Sequence, residues 1–193
     1  MTPRHGVVVL AAGASRRLGR PKQLVAIDGE ALLHRATRAA LATRPADLVV
    51  VLGHQATLLA AAVSDLDVRC ISATSWQHGM GHSLRSGADA LDPECMGVLV
   101  VLCDQPALDA AHLQQLVACW REAPCEAAAS GYAQTVGVPA LLPRDWLRSA
   151  DFAGDRGARG LLQARATETH VVTNEALARD IDAPGDLPAD DDA

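Results

Sequence analysis

Four short, strand-like apolar runs, at residues 6–11, 47–53, 68–72 and 97–103, recur along the chain with a helix-length stretch after each. That spacing constrains the fold more than any other feature. A strand buried on one face alternates apolar and polar residues, whereas one buried on both faces reads as a continuous Val- and Leu-rich run. Such strands need helices on both sides, and parallel neighbours need a crossover long enough to hold one. Helices are expected at about 31–43 and 56–63. A loop at 73–81 leads into a helix to about 91, and a further helix is expected at 109–121 with Asp109 as its N-cap. The order implies a doubly wound α/β fold, a Rossmann-like, mostly parallel sheet with helices on both faces. Beyond Pro124 the pattern is less regular. Short strands are expected at 126–130, 135–142 and 169–172, and helices at 143–150 and 157–166. Pro139 has no N–H to give a ladder, so its strand is expected at a sheet edge.

With 193 residues, 49% of them apolar, the chain can bury one substantial core without staples. Residues 1–187 read as a single domain and 188–193 as an acidic tail. A net charge of −6 and 3% aromatic content argue against nucleic-acid binding, which needs a basic face and stacking rings. No apolar run approaches the roughly 20 residues of a membrane span. The run at 7–12 follows Arg4 as in a signal peptide, but it is short and breaks into Ser15-Arg16-Arg17, so it reads as a first strand. Five cysteines without a paired spacing point to a reducing cytoplasm and to small buried hydrophobes.

Charge is unevenly placed. Residues 1–22 hold Arg4, Arg16, Arg17, Arg20 and Lys22 and no acid, while the last fourteen residues hold six aspartates and no base. Without that acidic end the body carries 17 bases and 17 acids, so a local charge of +5 suggests an anion site. Of the 17 basic residues, 16 are arginine. The single lysine, Lys22, marks a place where a compact ammonium is wanted and a planar guanidinium is not.

In open α/β sheets ligands bind beyond the carboxyl ends of the strands. The loop after the first run, LAAGASRRLGRPK at residues 10–22, has small residues that let backbone amides approach an anion, with Arg and Lys as counter-charge. It is neither a P-loop nor a dinucleotide fingerprint. It resembles the signature of the nucleotidyltransferase superfamily, of nucleotide-diphospho-sugar transferase type, and within it the molybdenum cofactor cytidylyltransferases. Five further segments match that family's pattern in order: GMGHSLRSG at 79–87, CDQP at 103–106, GVPAL at 137–141, GDRGAR at 154–159 and IDAPGDL at 181–187.

The resemblance implies a Mg²⁺-dependent transfer of CMP from CTP to the phosphate of a pterin-type cofactor, with release of pyrophosphate. Arg17 and Lys22 would hold the triphosphate, with Lys22 at the α-phosphate. Asp104 would be the principal Mg²⁺ ligand, and Asp182 either a second one or a turn cap before Pro184. Leu10, Ala11, Ala12 and Gly13 would line the nucleotide, and Gly79, Gly81 and Ser83 would read the base. Ala12 stands where guanylyl relatives carry glycine, and its methyl would crowd a purine, which favours CTP. Asp155, Arg156 and Arg159 are candidates for the acceptor. Val138 replaces the histidine of many members, so any acceptor contact made by that imidazole is missing. Cys103 reads as a small filler, and His54, His78 and His82 as loop or surface residues. A molybdoenzyme or its maturation chaperone would be the implied partner. The alternatives are guanylyl, sugar-phosphate or alcohol-phosphate transfer on the same fold, or a catalytically silent nucleotide- or cofactor-binding chaperone.

Overall fold

The structure, a computed structural model, describes residues 2–150 and 157–187. Asp155, Arg156 and the acidic tail at 188–193 lie outside the described residues. In chain order the elements begin with β1 (His5–Ala11), the small hairpin strands β2 (Ala26–Ile27) and β3 (Glu30–Ala31), and α1 (Leu32–Leu41). β4 (Asp47–Leu52), α2 (Ala56–Ala61), β5 (Arg69–Ser72), α3 (Met80–Ala90) and β6 (Gly97–Leu102) follow. The chain continues through α4 (Ala110–Glu122), β7 (Ala127–Tyr132), β8 (Thr135–Pro143), α5 (Arg144–Ser149), α6 (Gly157–Ala164) and β9 (Thr169–Thr173).

Seven strands form one sheet in the order β5-β4-β1-β6-β8-β7-β9. β5, β4, β1 and β6 run parallel, β8 is antiparallel to both its neighbours, and β9 pairs parallel with β7. Alternate residues of β1 enter opposite cores, as the pleat requires. Val7, Val9 and Ala11 pack with Leu33 of α1, Leu59 of α2 and Leu113 of α4. Val8 and Leu10 pack with Leu84 of α3, Trp146 of α5 and Leu162 of α6. The sheet is therefore covered on both faces, as the unbroken apolar runs require. Asp109 caps α4 by accepting from the His112 amide at 2.8 Å.

Three expectations are corrected. β8 lies in the interior of the sheet, between β6 and β7, and is not an edge strand. Pro139 is tolerated there because the ladder steps over it: Ala129 faces Ala140, Ser130 faces Gly137, and the pairing with β6 ends at Ala140. No partner asks Pro139 for a donor at that bulge. The N-terminal positive charge also divides. Arg4 lies at the start of β1, opposite the loop end of the sheet, and is paired with Glu94 and Asp92. All five cysteines are free, yet only Cys95 and Cys103 are buried, Cys70 and Cys125 being exposed.

At the same end of β1, burial pushes the His5 imidazole down to about 4, with the Arg121 guanidinium adding to the shift. Its Nε2–H donates to Thr43 Oγ1 at 3.0 Å, while the Thr43 hydroxyl donates to the Ala40 carbonyl at 2.7 Å. The unfolded imidazole titrates near 6.5. Between those values the unfolded chain takes up a proton that the folded one excludes, so the stability is present above 6.5 and is lost as pH falls towards 4. This group alone is expected to remove roughly 3 kcal/mol between pH 7 and pH 4. Urea melts of the wild type and His5→Gln across that window check it, the variant showing the flatter slope.

Candidate functional site

Because β1 and β6 pair in register, Leu10 opposite Leu102, the loop after β1 and the Asp104 that follows β6 emerge side by side. The loop is pinned by a residue the sequence did not single out. Gln23 is buried, and its side-chain amide donates to the Ala11 and Gly13 carbonyls at 3.0 and 2.9 Å. Ser15, at a positive φ of 49°, donates to Gln23 Oε1 at 3.3 Å and accepts from the Lys22 amide at 3.1 Å. Leu18 anchors the far side of the loop against Val25, Leu32 and Ile181. The only signal for Gln23 in the sequence is an uncharged polar residue directly after the lone lysine.

Lys22 is thereby directed at two carboxylates. Its ammonium donates to Asp104 Oδ2 at 2.7 Å and to Asp182 Oδ1 at 2.6 Å. Arg17 donates to the other oxygen of Asp182 at 2.7 Å, although most of its side chain is in solvent. Burial pulls the Lys22 ammonium down, but Asp104 and Asp182 outweigh it and hold its pKa above the ordinary lysine value. The hydrogen bond from Lys22, followed by Arg17, holds Asp182 below the usual carboxylate range. The chain brings Asp182 here through the Ile181 amide, which donates to the Asp104 carbonyl at 2.8 Å. The turn before Pro184 is capped by Asp186, which accepts from the Asp182 and Ala183 amides at 3.1 and 2.8 Å. Asp182 is thus free of capping work.

A third carboxylate joins the pair. One oxygen each from Asp104, Asp180 and Asp182 lies within 4.8 Å of the others. Burial, and then the charges of Asp182 and Asp104, pushes the Asp180 carboxyl up. Asp104 Oδ1 is buried without a hydrogen-bond partner. An oxygen-only set with an unsatisfied buried acceptor fits a hard divalent cation such as Mg²⁺.

Of these groups Lys22 and Asp104 line a cleft of about 260 Å³ that also takes in Leu10, Ala11, Ala12, Gly13 and Ser83. The helix begins two residues earlier than expected, Met80 and Gly81 belonging to the opening turn of α3 rather than to the preceding loop. Gly79, at a φ of 111° that side chains rarely adopt, turns the chain into the helix. Met80 and Ser83 then face the cleft, while Gly79 and Gly81 do not line it. Cys103 is a buried filler whose thiol burial pushes up to about 12. A larger compartment of about 670 Å³ adjoins the cleft and shares Leu10, Met80 and Leu102 with it. Val138 and Arg159 line this second space, and Arg159 donates to Thr135 Oγ1 at 2.9 Å.

A family model described as a MobA-like NTP transferase domain matches residues 7–171. The chain belongs to the MobA-like NTP transferase family. Nicotine blue oxidoreductase of Paenarthrobacter nicotinovorans is 31% identical over 91% of this chain and 90% of its own. The bifunctional protein GlmU of Rhodococcus opacus (strain B4) is 34% identical over 72% of this chain but only 31% of its own length. The chain spans between 24% and 35% of the GlmU relatives it matches. Rv0371c of Mycobacterium tuberculosis H37Rv superposes with a TM-score of 0.84 at 26% identity, covering 96% of both chains. A second structure of that protein, at 24% identity and a TM-score of 0.79, is a complex with manganese. Among the described residues no helix is long and apolar enough to cross a membrane.

Proposed function

We propose that the protein is a Mg²⁺-dependent cytidylyltransferase that transfers CMP from CTP to the phosphate of a pterin-type cofactor. The observation that carries this reading is the Lys22–Asp104–Asp182 cluster set against a cleft floored by the 10–13 backbone. An oxygen of the acceptor phosphate attacks the α-phosphorus, the bond to the bridging β-oxygen breaks, and pyrophosphate leaves with that oxygen. Such a transfer needs positioning and charge neutralisation rather than a protein nucleophile. Lys22 and Arg17 bind the triphosphate, and Lys22 exchanges carboxylate for α-phosphate oxygen as partner. Asp104 and Asp182, with Asp180 in reach, would hold the cation, which would supply charge for the phosphate oxygens. The adjoining compartment, with Leu102, Val136 and Val138 as apolar walls and Arg159 and Tyr132 as polar groups, suits a flat heterocycle carrying an anion.

The test is incubation with molybdopterin-type cofactor and each NTP in Mg²⁺, scoring pyrophosphate and dinucleotide. CTP with the pterin is expected to give both. Release with GTP or with a sugar or alcohol phosphate would reassign the substrates, and nucleotide binding without release would leave a binding protein. The similarity to the Paenarthrobacter protein over 91% of this chain favours a second reading, a redox activity; turnover in a screen of electron donors and acceptors with no pyrophosphate release would establish it. Gln23→Ala frees two carbonyls of the phosphate loop and is expected to weaken nucleotide binding about tenfold, the worth of one or two neutral hydrogen bonds. Calorimetric titration with CTP checks it.

A further inference from the structure

We propose that Trp76 is the size-limiting wall of the base compartment and selects a pyrimidine over a purine, an inference that rests on the nucleotide reading above. Trp76 lies in the short 3-10 turn Trp76–His78 just before α3 and lines the 260 Å³ cleft together with Ala12 and Gly13. The ring is held where it stands. Behind it lies Gly53 at the end of β4, where a side-chain Cβ would come within 2.6 Å of the indole Cγ, so only glycine lets the ring pack this closely. The His54 ring supports it at 5.9 Å between centroids, tilted by 54°. The backbone is fixed by bonds from the Trp76 amide to the Ala73 carbonyl and from the Gly79 amide to the Trp76 carbonyl, both 3.2 Å.

A wall backed in this way cannot retreat to admit a larger base. The cleft already lies near the lower end of small-molecule sites, roughly 300 Å³, and must seat part of a sugar-phosphate as well as the base. The Ala12 methyl faces the same space, but it removes far less volume than an indole. Size discrimination therefore falls chiefly on Trp76. The residue also reports its own occupancy, because the other two tryptophans, Trp120 and Trp146, are buried in the two cores.

The experiment compares CTP and GTP binding to the whole chain by calorimetry and by tryptophan emission, for wild type, Trp76→Ala and Trp76→Phe. Wild type is expected to prefer CTP and to change its emission on binding, a change that Trp76→Phe loses. The CTP-to-GTP preference is expected to fall about tenfold or more in Trp76→Ala, through gained GTP affinity, the scale on which a pocket rejects an oversized group. Trp76→Phe, a smaller ring on the same turn, is expected to lie between and decides the matter if the alanine variant does not fold. A preference unchanged within about twofold overturns the inference and leaves the nucleotide reading standing. Absence of any nucleotide binding by the wild type, or a wild-type preference for GTP, overturns both the inference and the cytidylyl reading.

Discussion

Lys22→Ala is expected to lower turnover by about 10²-fold or more while leaving the fold intact, the scale of losing one preorganised charge contact to a transferring phosphoryl group. Its ammonium fits between Asp104 Oδ2 and Asp182 Oδ1 at 2.7 and 2.6 Å, a gap that takes one small cation. A guanidinium is planar and longer, so Lys22→Arg is expected to recover little of the loss. Asp104→Asn should fall as far, because it removes charge from the one carboxylate in the cluster that has a buried, unpartnered oxygen. The variant carries a second signature. Without the ammonium, Asp104, Asp180 and Asp182 face one another with only the largely exposed Arg17 against them, so Lys22→Ala should melt lower in chelator and gain more than wild type from added Mg²⁺ or Mn²⁺. Pyrophosphate release and paired melting curves measure the two effects. Wild-type turnover in Lys22→Ala would end the assignment of Lys22.

Why this much could be read from residues alone follows from which interactions are local. β1, β4 and β6 announce themselves because burial on both faces demands unbroken apolar runs. Asp109 is legible because a cap acts within three residues. Lys22 stands out because it is the single ammonium among sixteen guanidiniums and stands at the end of the small-residue basic loop 10–22. The rest depends on partners distant in the chain. Arg4 looks like part of the anion site until pairing with Glu94 and Asp92 places it at the other end of the strand. Pro139 argues for an edge only if every strand position needs a donor, and the bulge opposite Ser130 removes that need. Gln23 and Asp180 carry no local signature, since one serves carbonyls of a folded-back loop and the other meets Asp104 across 76 residues of sequence, 180 minus 104. Met80 and Gly81 read as the end of a loop because Gly79 and Gly81 weaken helix propensity, and the packing of Leu84 and Ala88 on the sheet outweighs that cost.

That packing makes Arg144 the position of largest expected effect on stability. Arg144 is 7% exposed, and among the described residues its guanidinium serves backbone carbonyls. Nη2 donates to Ala88 and Leu91 at 3.0 Å each, and Nη1 to Asp92 at 2.5 Å and Cys95 at 3.4 Å. These are acceptors at the end of α3 and in the turn after it, which the helix itself cannot satisfy. Arg144→Met keeps the apolar stem and removes the donors, stranding buried carbonyls, so a loss of roughly 3–5 kcal/mol is expected. For a chain of this size that is a fall in Tm of about 10 °C. Arg144→Lys should recover only part of it, since one ammonium cannot reach the acceptors that a fork spans. The opposite end of α3 presents Met80 and Ser83 to the cleft, so the loosened helix should raise the KM for nucleotide more than it lowers kcat. Urea melts and steady-state kinetics of the same preparations read both. A loss below about 1 kcal/mol would mean that water replaces the guanidinium at those carbonyls, and that α3 is held by its apolar face alone.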